Sequence, residues 1–424
     1  MDLMGEGIAI IPTASAAQRN SDVQYPFRPD SDFYYVTHFP EPDAVAVLVP
    51  GRAQGEFVMF CRERDPEQEA WHGKRAGLEG ACQYYGADDA FPIDDIADIL
   101  PGLLENQPKI YCNLGRYKVF DEQLLRWVSE VKSKVRSGIS APEELVDLGH
   151  ILHELRLIKQ REEVRHMKRA AEVSAKAHCR AMMTCQPGMT ERQVQAELEY
   201  EFGRGGARTW AYPSIVAGGA NACILHYTEN SDVLVDGDLL LIDAGAEIDC
   251  YAADITRTFP VNGRFTAEQK ALYEVVLEAQ LAAIASVKPG RCWNDPHDAA
   301  VAVLTEGLID LGLLSGNANE RIEDNSYRRF YMHRTGHWLG LDVHDVGDYK
   351  INNEWRLLES GMALTVEPGL YIAPAKDIDL CWHNIGIRIE DDVLVTAKGA
   401  EVLTGGVPKL PVEVEALMAD SNAG

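Results

Sequence analysis

The sequence lacks long hydrophobic runs and is short of basic residues. Among its 424 residues, no window holds the roughly 18 consecutive apolar residues that a membrane-spanning helix needs. Only 40 Lys and Arg stand against 66 Asp and Glu, a formal net charge of -26, which repels nucleic acid and anionic membrane surfaces. We therefore expect neither a nucleic-acid partner nor membrane association.

Cysteine pairs and several common catalytic motifs are also absent. The nine cysteines are an odd number without a C-x-x-C pair, which is typical of reduced thiols rather than of a disulfide framework or zinc ribbon. The sequence contains no G-x-S-x-G elbow, P-loop or G-x-G-x-x-G fingerprint. It therefore gives no motif support to a serine esterase, a nucleotide hydrolase or a dinucleotide-binding enzyme. The opening MDLMGEGIAI lacks the basic region and cleavage site of a signal peptide, so the expected location is cytoplasmic.

Length and patterning indicate two α/β domains, at residues 1–148 and 149–424. The first alternates strand-like runs (GIAIIP, DAVAVLVP, EFVMFC, KIYCNL) with helical stretches such as FDEQLLRWVSEV. A turn-rich segment, SGISAPEELVDLGH, then leads into a long charged amphipathic run that predicts a helix. Capping boxes at Thr190 (TERQ) and Thr266 (TAEQ) each predict the start of a further helix.

Four strand-like runs of the second domain each contain an acid in apolar surroundings. The acids are Asp243, Asp254, Glu367 and Glu390, in the runs 236–245, 253–261, 361–372 and 386–396. Taken singly, each is more often an ordinary acid at an exposed strand tip. Charged residues are rarely buried unless they are paired or bind metal, so two acids on inward faces favour a site.

Two of these runs resemble each other. Gly237 lies six residues before Asp243, and Gly361 lies six before Glu367; each acid is followed by alanine or proline and then glycine. The echo predicts an internal duplication, in which two half-domains bring acids to a shared cleft.

If the four carboxylates converge, their repulsion demands positive charge. Two divalent cations would neutralise them, with a neutral histidine such as His337 as a fifth ligand. An oxygen-rich set with one imidazole favours Mn2+ and tolerates Co2+, Fe2+ or Zn2+. The sequence thus predicts two divalent metal ions that share and activate a water molecule.

The stretch HRTGHWLGLDVHD holds three histidines, His333, His337 and His344. It is not a zinc-protease helix, because Arg334 occupies the position of the glutamate in H-E-x-x-H. Its glycines and the alternation after Gly340 predict a turn that runs into an extended strand.

These motifs together resemble one family. ILHYTEN, LLLIDAGAEIDCYAADITRTFPV, YMHRTGHWLGLDVHDVG, LTVEPGLYIAP and GIRIEDD closely resemble the bacterial-type Xaa-Pro aminopeptidase (aminopeptidase P) family, and YPFRPDSDFYYVTHFPEPDAV and WHGKR resemble its N-terminal module. The resemblance implies a creatinase-type N-terminal α/β domain followed by a pita-bread α/β domain with pseudo-twofold duplicated halves. The implied activity is release of the first residue from peptides with proline at the second position.

The resemblance also implies roles for individual residues. The implied metal ligands are Asp243, Asp254, His337, Glu367 and Glu390, with Asp254 and Glu390 bridging two manganese ions. The implied catalytic residues are Glu367 as a proton shuttle, with His226, His333, His344 and Arg388. Supporting residues are Asp32, Tyr212 and Tyr371, with Trp71 reaching a neighbouring subunit's site in a homo-oligomer, a dimer or a tetramer. The segment Arg334-Thr335-Gly336 departs from the small residues commonly found between the two histidines of the family.

Other readings remain open at this point. Packing or a hydrogen bond within the loop would account for His333 and His344. His226 would be a hydrogen-bonded histidine of a strand, and Arg388 would form a salt bridge that orients Glu390. At the level of function, the alternatives are a prolidase that cleaves Xaa-Pro dipeptides, a creatinase-like hydrolase of a non-peptide substrate, and a non-catalytic peptide-binding module.

Overall fold

The structure is a computed structural model that describes residues 1–421. It divides into two compact units, Met1–Leu155 and a second that starts at Arg156. The division lies inside a helix, Gly149–Leu157, and the boundary expected from sequence lies at the start of that helix. Among the described residues, no helix is both long enough and apolar enough to span a membrane.

The first unit is built around a six-stranded mixed sheet. Its strands and those of a small hairpin are β1 (Ile8–Pro12), β2 (Gln18–Asn20), β3 (Val23–Gln24), β4 (Val45–Leu48), β5 (Phe57–Cys61), β6 (Asp89–Pro92), β7 (Lys109–Cys112) and β8 (Glu144–Asp147). Its helices are α1 (Ser31–Thr37), α2 (Pro66–His72), α3 (Gly77–Tyr85), α4 (Ile96–Leu104), α5 (Lys118–Ser133) and α6 (Gly149–Leu157). The sheet order is β6-β5-β4-β1-β7-β8, and β2 pairs with β3 outside it.

Alternation along β1 explains why both faces of this sheet are covered. Ile8 and Ile10 pack into one apolar cluster with α4 and α5, whereas Ala9 and Ile11 pack into another with Phe33 of α1. Successive side chains of a strand point to opposite faces, so one apolar run supplies two cores. The strands and the helix expected in this region are confirmed.

The second unit contains small sheets covered by paired helices. Its strands are β9 (Thr209–Trp210), β10 (Ile215–Gly218), β11 (Leu239–Asp243), β12 (Ala246–Ile248), β13 (Tyr251–Ala252), β14 (Thr256–Pro260), β15 (Lys350–Ile351), β16 (Glu354–Trp355), β17 (Ala363–Val366), β18 (Gly369–Ile372), β19 (Ile385–Arg388), β20 (Asp391–Thr396) and β21 (Gly399–Val402). Its further helices are α7 (Arg161–Thr184), α8 (Glu191–Gly205), α9 (Ala267–Ser286), α10 (Asp295–Asp310), α11 (Ala318–Glu323) and α12 (Pro411–Ser421). Short 3-10 turns occupy Ile93–Asp95, Lys134–Ser137, Gly219–Cys223, Ser326–Arg329 and Leu380–Trp382.

Each half of this unit has its own core. Helices α7 and α8 pack on the sheet β10-β11-β14 through one apolar cluster, and α9 and α10 pack on β17, β18 and β19 through another. The predicted capping boxes at Thr190 and Thr266 are both present, at the starts of α8 and α9. The duplicated arrangement agrees with the fold class implied by the motifs.

Two of the predicted strands are each broken at an acid. Residues 361–372 form β17 and β18 with Glu367 and Pro368 between them, and residues 386–396 lie in β19 and β20 with Glu390 between them. The cause is that the chain changes sheet there, since β17 pairs with β20 and β18 with β19. Proline also removes a backbone donor at the first break.

The expectation of an extended strand within residues 333–345 is wrong. This segment is irregular and forms only an isolated bridge between Trp338 and Leu364. The carboxylate of Asp345 instead turns the chain, because it accepts hydrogen bonds from Arg156 at 2.6 Å and Lys159 at 2.9 Å. Beside that bridge, Leu339 donates to the carbonyl oxygen of Ala363, and Thr365 donates to that of His337, so part of the segment follows β17 without forming a regular strand.

A buried ion pair joins β14 of one half to β20 of the other. Arg257 and Asp391 are both fully buried and 2.7 Å apart. Lys409 and Gln280 also donate to Asp391, at 2.7 and 2.8 Å. Burial alone would raise the pKa of Asp391, but the charges of Arg257 and Lys409 hold it well below its usual range.

We expect Asp391→Asn to lower the free energy of unfolding by about 3 to 5 kcal/mol, because it leaves Arg257 buried without its partner. Urea unfolding followed by circular dichroism measures this change. The matched control is Asp377→Asn, since Asp377 pairs with Arg329 but is 67% exposed; its loss should cost less than about 1 kcal/mol. Equal losses for the two variants would contradict the importance of burial.

Candidate active site

The first two acids lie at the ends of adjoining strands. Asp243 is the last residue of β11, opposite Thr256 of β14, and Asp254 lies just before β14. Between the acids the chain passes through Gly245, where a Cβ would lie 1.7 Å from the carbonyl oxygen of Ala253. Only glycine permits that backbone approach. The tight hairpin β12-β13 therefore returns the chain so that both acids line one pocket.

The second two acids repeat this arrangement. Glu367 follows β17, and Pro368 and Gly369 lead into β18; Glu390 separates β19 from β20. A Cβ on Gly369 would lie 2.8 Å from the carbonyl oxygen of Ile387, again a close backbone approach. The sequence echo thus corresponds to two hairpins that each carry an acid at both of their ends.

One histidine meets acids of both halves. Ligand atoms of Asp254, His337 and Glu390 all lie within 4.8 Å of one another. His337 Nε2 is 3.4 Å from Asp254 Oδ2 and 3.7 Å from Glu367 Oε1. His337 Nδ1 faces the carbonyl oxygen of Trp338 at 2.9 Å and donates to it, which leaves Nε2 directed at the acids.

Asp243 is tied to this group by a shared hydroxyl and an arginine. The hydroxyl of Tyr212 lies 2.6 Å from Asp243 Oδ1 and also contacts Asp254 Oδ1. It carries one hydrogen and can donate to only one of the two carboxylates. Arg388 donates to Asp243 Oδ2 at 2.6 Å. The close contact between Tyr212 and the other carboxylate therefore requires either a proton on that carboxylate or a bound cation.

A chain of hydrogen bonds links Arg388 to the remaining groups. Arg388 Nε donates to Thr256 Oγ1 at 3.1 Å, and that hydroxyl donates to Glu390 Oε2 at 2.5 Å. Arg388 also donates to the Tyr371 hydroxyl at 3.0 Å, which lies 2.8 Å from His333 Nε2. Arg388 thus reaches Glu390 through Thr256, whereas its direct ion pair is with Asp243.

The acids are strongly perturbed by their surroundings. Burial raises the pKa of Asp243, raises that of Glu390 well above its usual range, and raises that of Glu367 to about 7. Burial also opposes charge on Asp254, yet the hydrogen bond from His337 lowers the pKa of this carboxyl. For His337, burial lowers the pKa, but Asp254 and Glu367 raise it to about 9. The cluster therefore holds protons near neutrality unless a cation replaces them.

The other histidines surround this cluster. Burial lowers the pKa of His333 to about 3, and its Nδ1 donates to the carbonyl oxygen of Arg334 at 2.7 Å, so the ring stays neutral. The ring of His344 lies edge-on to that of His337, with centroids 4.4 Å apart. His226 is exposed in a turn rather than in a strand and lines the same pocket.

The pocket has a volume of about 1100 Å³, and most of the predicted site residues line it. Those it brings together are Tyr212, His226, Asp243, Asp254, His333, His337, His344, Glu367, Arg388 and Glu390. The sequence reasoning missed one wall, formed by Trp293, Tyr349, Lys350 and Trp355. For Tyr349, Lys350 and Trp355 the only signal was the dense aromatic and charged run DYKINNEW, which has no periodicity that would direct those side chains to a site.

Two predicted residues belong to the first unit. Asp32 is fully buried in the first turn of α1, where its Oδ2 accepts from Asn113 at 2.7 Å and lies 3.5 Å from His153 Nε2. Trp71, near the end of α2, is 82% exposed. Their expected roles at the site stay predictions.

Comparisons with known proteins cover nearly the whole chain. The model of Metallopeptidase family M24 matches residues 165–397, and that of Aminopeptidase P, N-terminal domain, matches residues 1–111. The Xaa-Pro aminopeptidase of Escherichia coli is 44% identical over 97% of this chain and 93% of its own length. Human Xaa-Pro aminopeptidase 3 is 33% identical over 95% of this chain and 79% of its own length.

Solved structures give the same result. The Pseudomonas aeruginosa aminopeptidase PepP is 59% identical, with a TM-score of 0.97 over 98% of this chain and 95% of that one. Zinc-substituted E. coli aminopeptidase P in complex with product is 44% identical, with a TM-score of 0.95 over 98% and 94%. These comparisons confirm the resemblance and the fold class expected from sequence, and the chain belongs to metallopeptidase family M24, with the N-terminal domain of aminopeptidase P.

Proposed function

We propose that the chain hydrolyses the bond between an N-terminal residue and a following proline, and so releases the first amino acid of Xaa-Pro peptides. The observation that carries this proposal is the convergence of Asp254, His337 and Glu390 within 4.8 Å of one another, in a pocket of about 1100 Å³. Relatives at 44% identity are named Xaa-Pro aminopeptidase.

We further propose that five side chains hold two divalent ions: Asp243, Asp254, His337, Glu367 and Glu390. The donor set fits, because four carboxylates and a neutral imidazole are balanced by two divalent charges. Asp254 and Glu390 are the most buried of these acids, at 5% and 1% exposure, and with His337 they would form the centre of the ligand set. Oxygen-rich coordination with one nitrogen favours Mn2+ over metals that prefer sulfur.

When bound, such a pair of ions supplies a water molecule of lowered pKa and polarises the scissile carbonyl group. The residues of the chain handle the protons and the developing charge. Glu367 is the proposed proton shuttle, which would take a proton on a carboxylate oxygen and deliver it to the leaving proline nitrogen. His226, His333 and His344 are the proposed groups that position the peptide and stabilise charge on the carbonyl oxygen.

The pocket also suits the proline ring. The peptide bond before proline has no N–H, so a peptidase for it cannot depend on the usual strand-like recognition of that nitrogen. Ile215, Leu225 and Val343 add apolar surface to the pocket that holds the acids. We propose that this surface accepts the ring.

Location and assembly complete the proposal. We propose a cytoplasmic enzyme that forms a homo-oligomer, a dimer or a tetramer. Trp71 is 82% exposed, so its indole ring is accessible to a neighbouring subunit. Its proposed role beside that subunit's site follows from the family resemblance.

Turnover should depend on manganese and on peptide length. Protein stripped of metal and then given Mn2+ should cleave an Xaa-Pro-Xaa tripeptide to the free first residue and act slowly on the matching Xaa-Pro dipeptide, since the pocket is large enough for a longer chain. Chromatography of the released amino acid measures both rates. Rapid dipeptide cleavage with an inert tripeptide would instead indicate a prolidase.

Loss of one proposed metal ligand should abolish both metal binding and turnover. We expect Glu390→Ala to lower kcat/KM by about 1000-fold, equivalent to about 4 kcal/mol, because metal ions contribute several kcal/mol to transition-state stabilisation. Calorimetric Mn2+ titration and peptide turnover measure the two effects. The control is Glu359→Ala at an exposed position outside the pocket, which should change neither. Unchanged peptide binding without turnover in either protein would support a binding module.

Manganese affinity of the metal-free protein should rise with pH. Ligands bind a cation only after losing their protons, and the pKa values of Glu367 and His337 are raised to about 7 and about 9. Affinity should therefore increase steadily as pH rises through that window, with release of protons on binding. Calorimetry in two buffers of different ionisation enthalpy measures the protons released. An affinity that is constant across this window would refute the proposed ligand set.

A further inference from the structure

One wall of the pocket carries two cations beside an indole ring. Arg334 and Lys350 both line the pocket. The guanidinium carbon of Arg334 lies 5.1 Å from the centroid of the Trp355 ring, and Lys350 Nζ lies 4.3 Å from it. Contacts of this kind hold long side chains over an aromatic face. The two charges are therefore presented to the same end of the pocket.

Neither cation is neutralised by the protein. Within residues 1–421, no carboxylate forms an ion pair with Arg334 or Lys350, although Asp348 lines the same pocket. Arg334 donates one hydrogen bond to Asn294 Oδ1. A guanidinium group has five N–H donors in a fork that matches a carboxylate, so most of its donors remain for a ligand.

The charge of Arg334 also acts on a buried histidine beside the pocket. Burial lowers the pKa of His297 to about 4, and the charge of Arg334 contributes to that shift. His297 Nδ1 lies 2.8 Å from Thr335 Oγ1, next to the histidine segment. The pocket thus combines a cluster of four acids with a separate wall that is positive, whereas the chain as a whole has a net charge of -26. Such a wall attracts anions, in contrast to the rest of the protein.

We propose that Arg334 and Lys350 recognise a carboxylate of the peptide substrate and set the preference of this enzyme among Xaa-Pro peptides. The carboxylate is either the C-terminus of a short peptide or the acidic side chain of its first residue. This inference rests on the proposed function, because it assigns a specificity role within the same pocket. Both cations are exposed, so each contact contributes modestly and mainly to substrate binding.

Two pairs of peptides distinguish the two sources of the carboxylate. Leu-Pro-Ala against Leu-Pro-Ala-amide tests the C-terminus, and Glu-Pro-Ala-amide against Gln-Pro-Ala-amide tests the first side chain. Steady-state rates are measured for the manganese-loaded full chain and for Arg334→Met and Lys350→Met. The control is Lys398→Met, which removes the same charge from an exposed turn outside the pocket.

We expect the unaltered enzyme to favour the carboxylate peptide of at least one pair by about fivefold in kcat/KM. Arg334→Met should reduce that preference to near unity through KM, with kcat little changed, and Lys350→Met should reduce it partly. Added salt should weaken the preference, whereas Lys398→Met should retain it. The pair that shows the effect identifies which carboxylate is bound.

Three results would overturn the inference. The first is the absence of a preference in either pair of peptides. The second is a preference that Arg334→Met and Lys350→Met leave intact. The third is an equal loss of the preference in Lys398→Met. In each case cleavage of Leu-Pro-Ala-amide would leave the proposed function standing. Absence of turnover with all four peptides would refute the proposed function, and this inference with it.

Discussion

Repulsion among four carboxylates in one cleft is the constraint on which the second unit depends. Burial raises the pKa of Asp243, Glu367 and Glu390, so the protein disfavours charge where it has concentrated acids. Only the pKa of Asp254 is lowered, because this carboxyl accepts a hydrogen bond from His337. The fold therefore keeps these acids in positions where their charged forms are disfavoured, which is typical of sites that bind cations or move protons.

The rest of the second unit holds these acids in place. Each half sets one acid just after a strand of its sheet and the other just before the returning strand, and a glycine lets the intervening hairpin fold closely against the backbone. Because backbone geometry fixes these positions, the acids need few side-chain contacts of their own. Tyr212, Thr256 and Arg388 provide those contacts, and Thr256 and Arg388 also connect one half to the other.

Much of this arrangement could be predicted from the sequence, because it follows from local rules. Strand periodicity located β1 and β11, capping boxes located the starts of α8 and α9, and the repeated spacing before Asp243 and Glu367 indicated the duplication. Most of the site residues that the motifs selected also line the pocket. Each of these signals depends on residues that are close in the chain.

The features that escaped prediction depend on distant partners. The breaks at Glu367 and Glu390 arise because the chain changes sheets, which apolar alternation does not encode. The irregular path of residues 333–345 depends on Arg156 and Lys159, nearly two hundred positions away in sequence. Trp355 and Lys350 lie in short strands without periodicity, so their approach to the site had no local signal.

The buried pair between Arg257 and Asp391 has a consequence for the metal binding proposed at the neighbouring acid. Asp391 is the neighbour of Glu390 and is fixed by Arg257, Gln280 and Lys409, none of which is a proposed ligand. The backbone at that ligand is therefore set by the fold itself and not by coordination. On the proposed function, a metal ion would therefore bind to a cleft whose backbone is already in place.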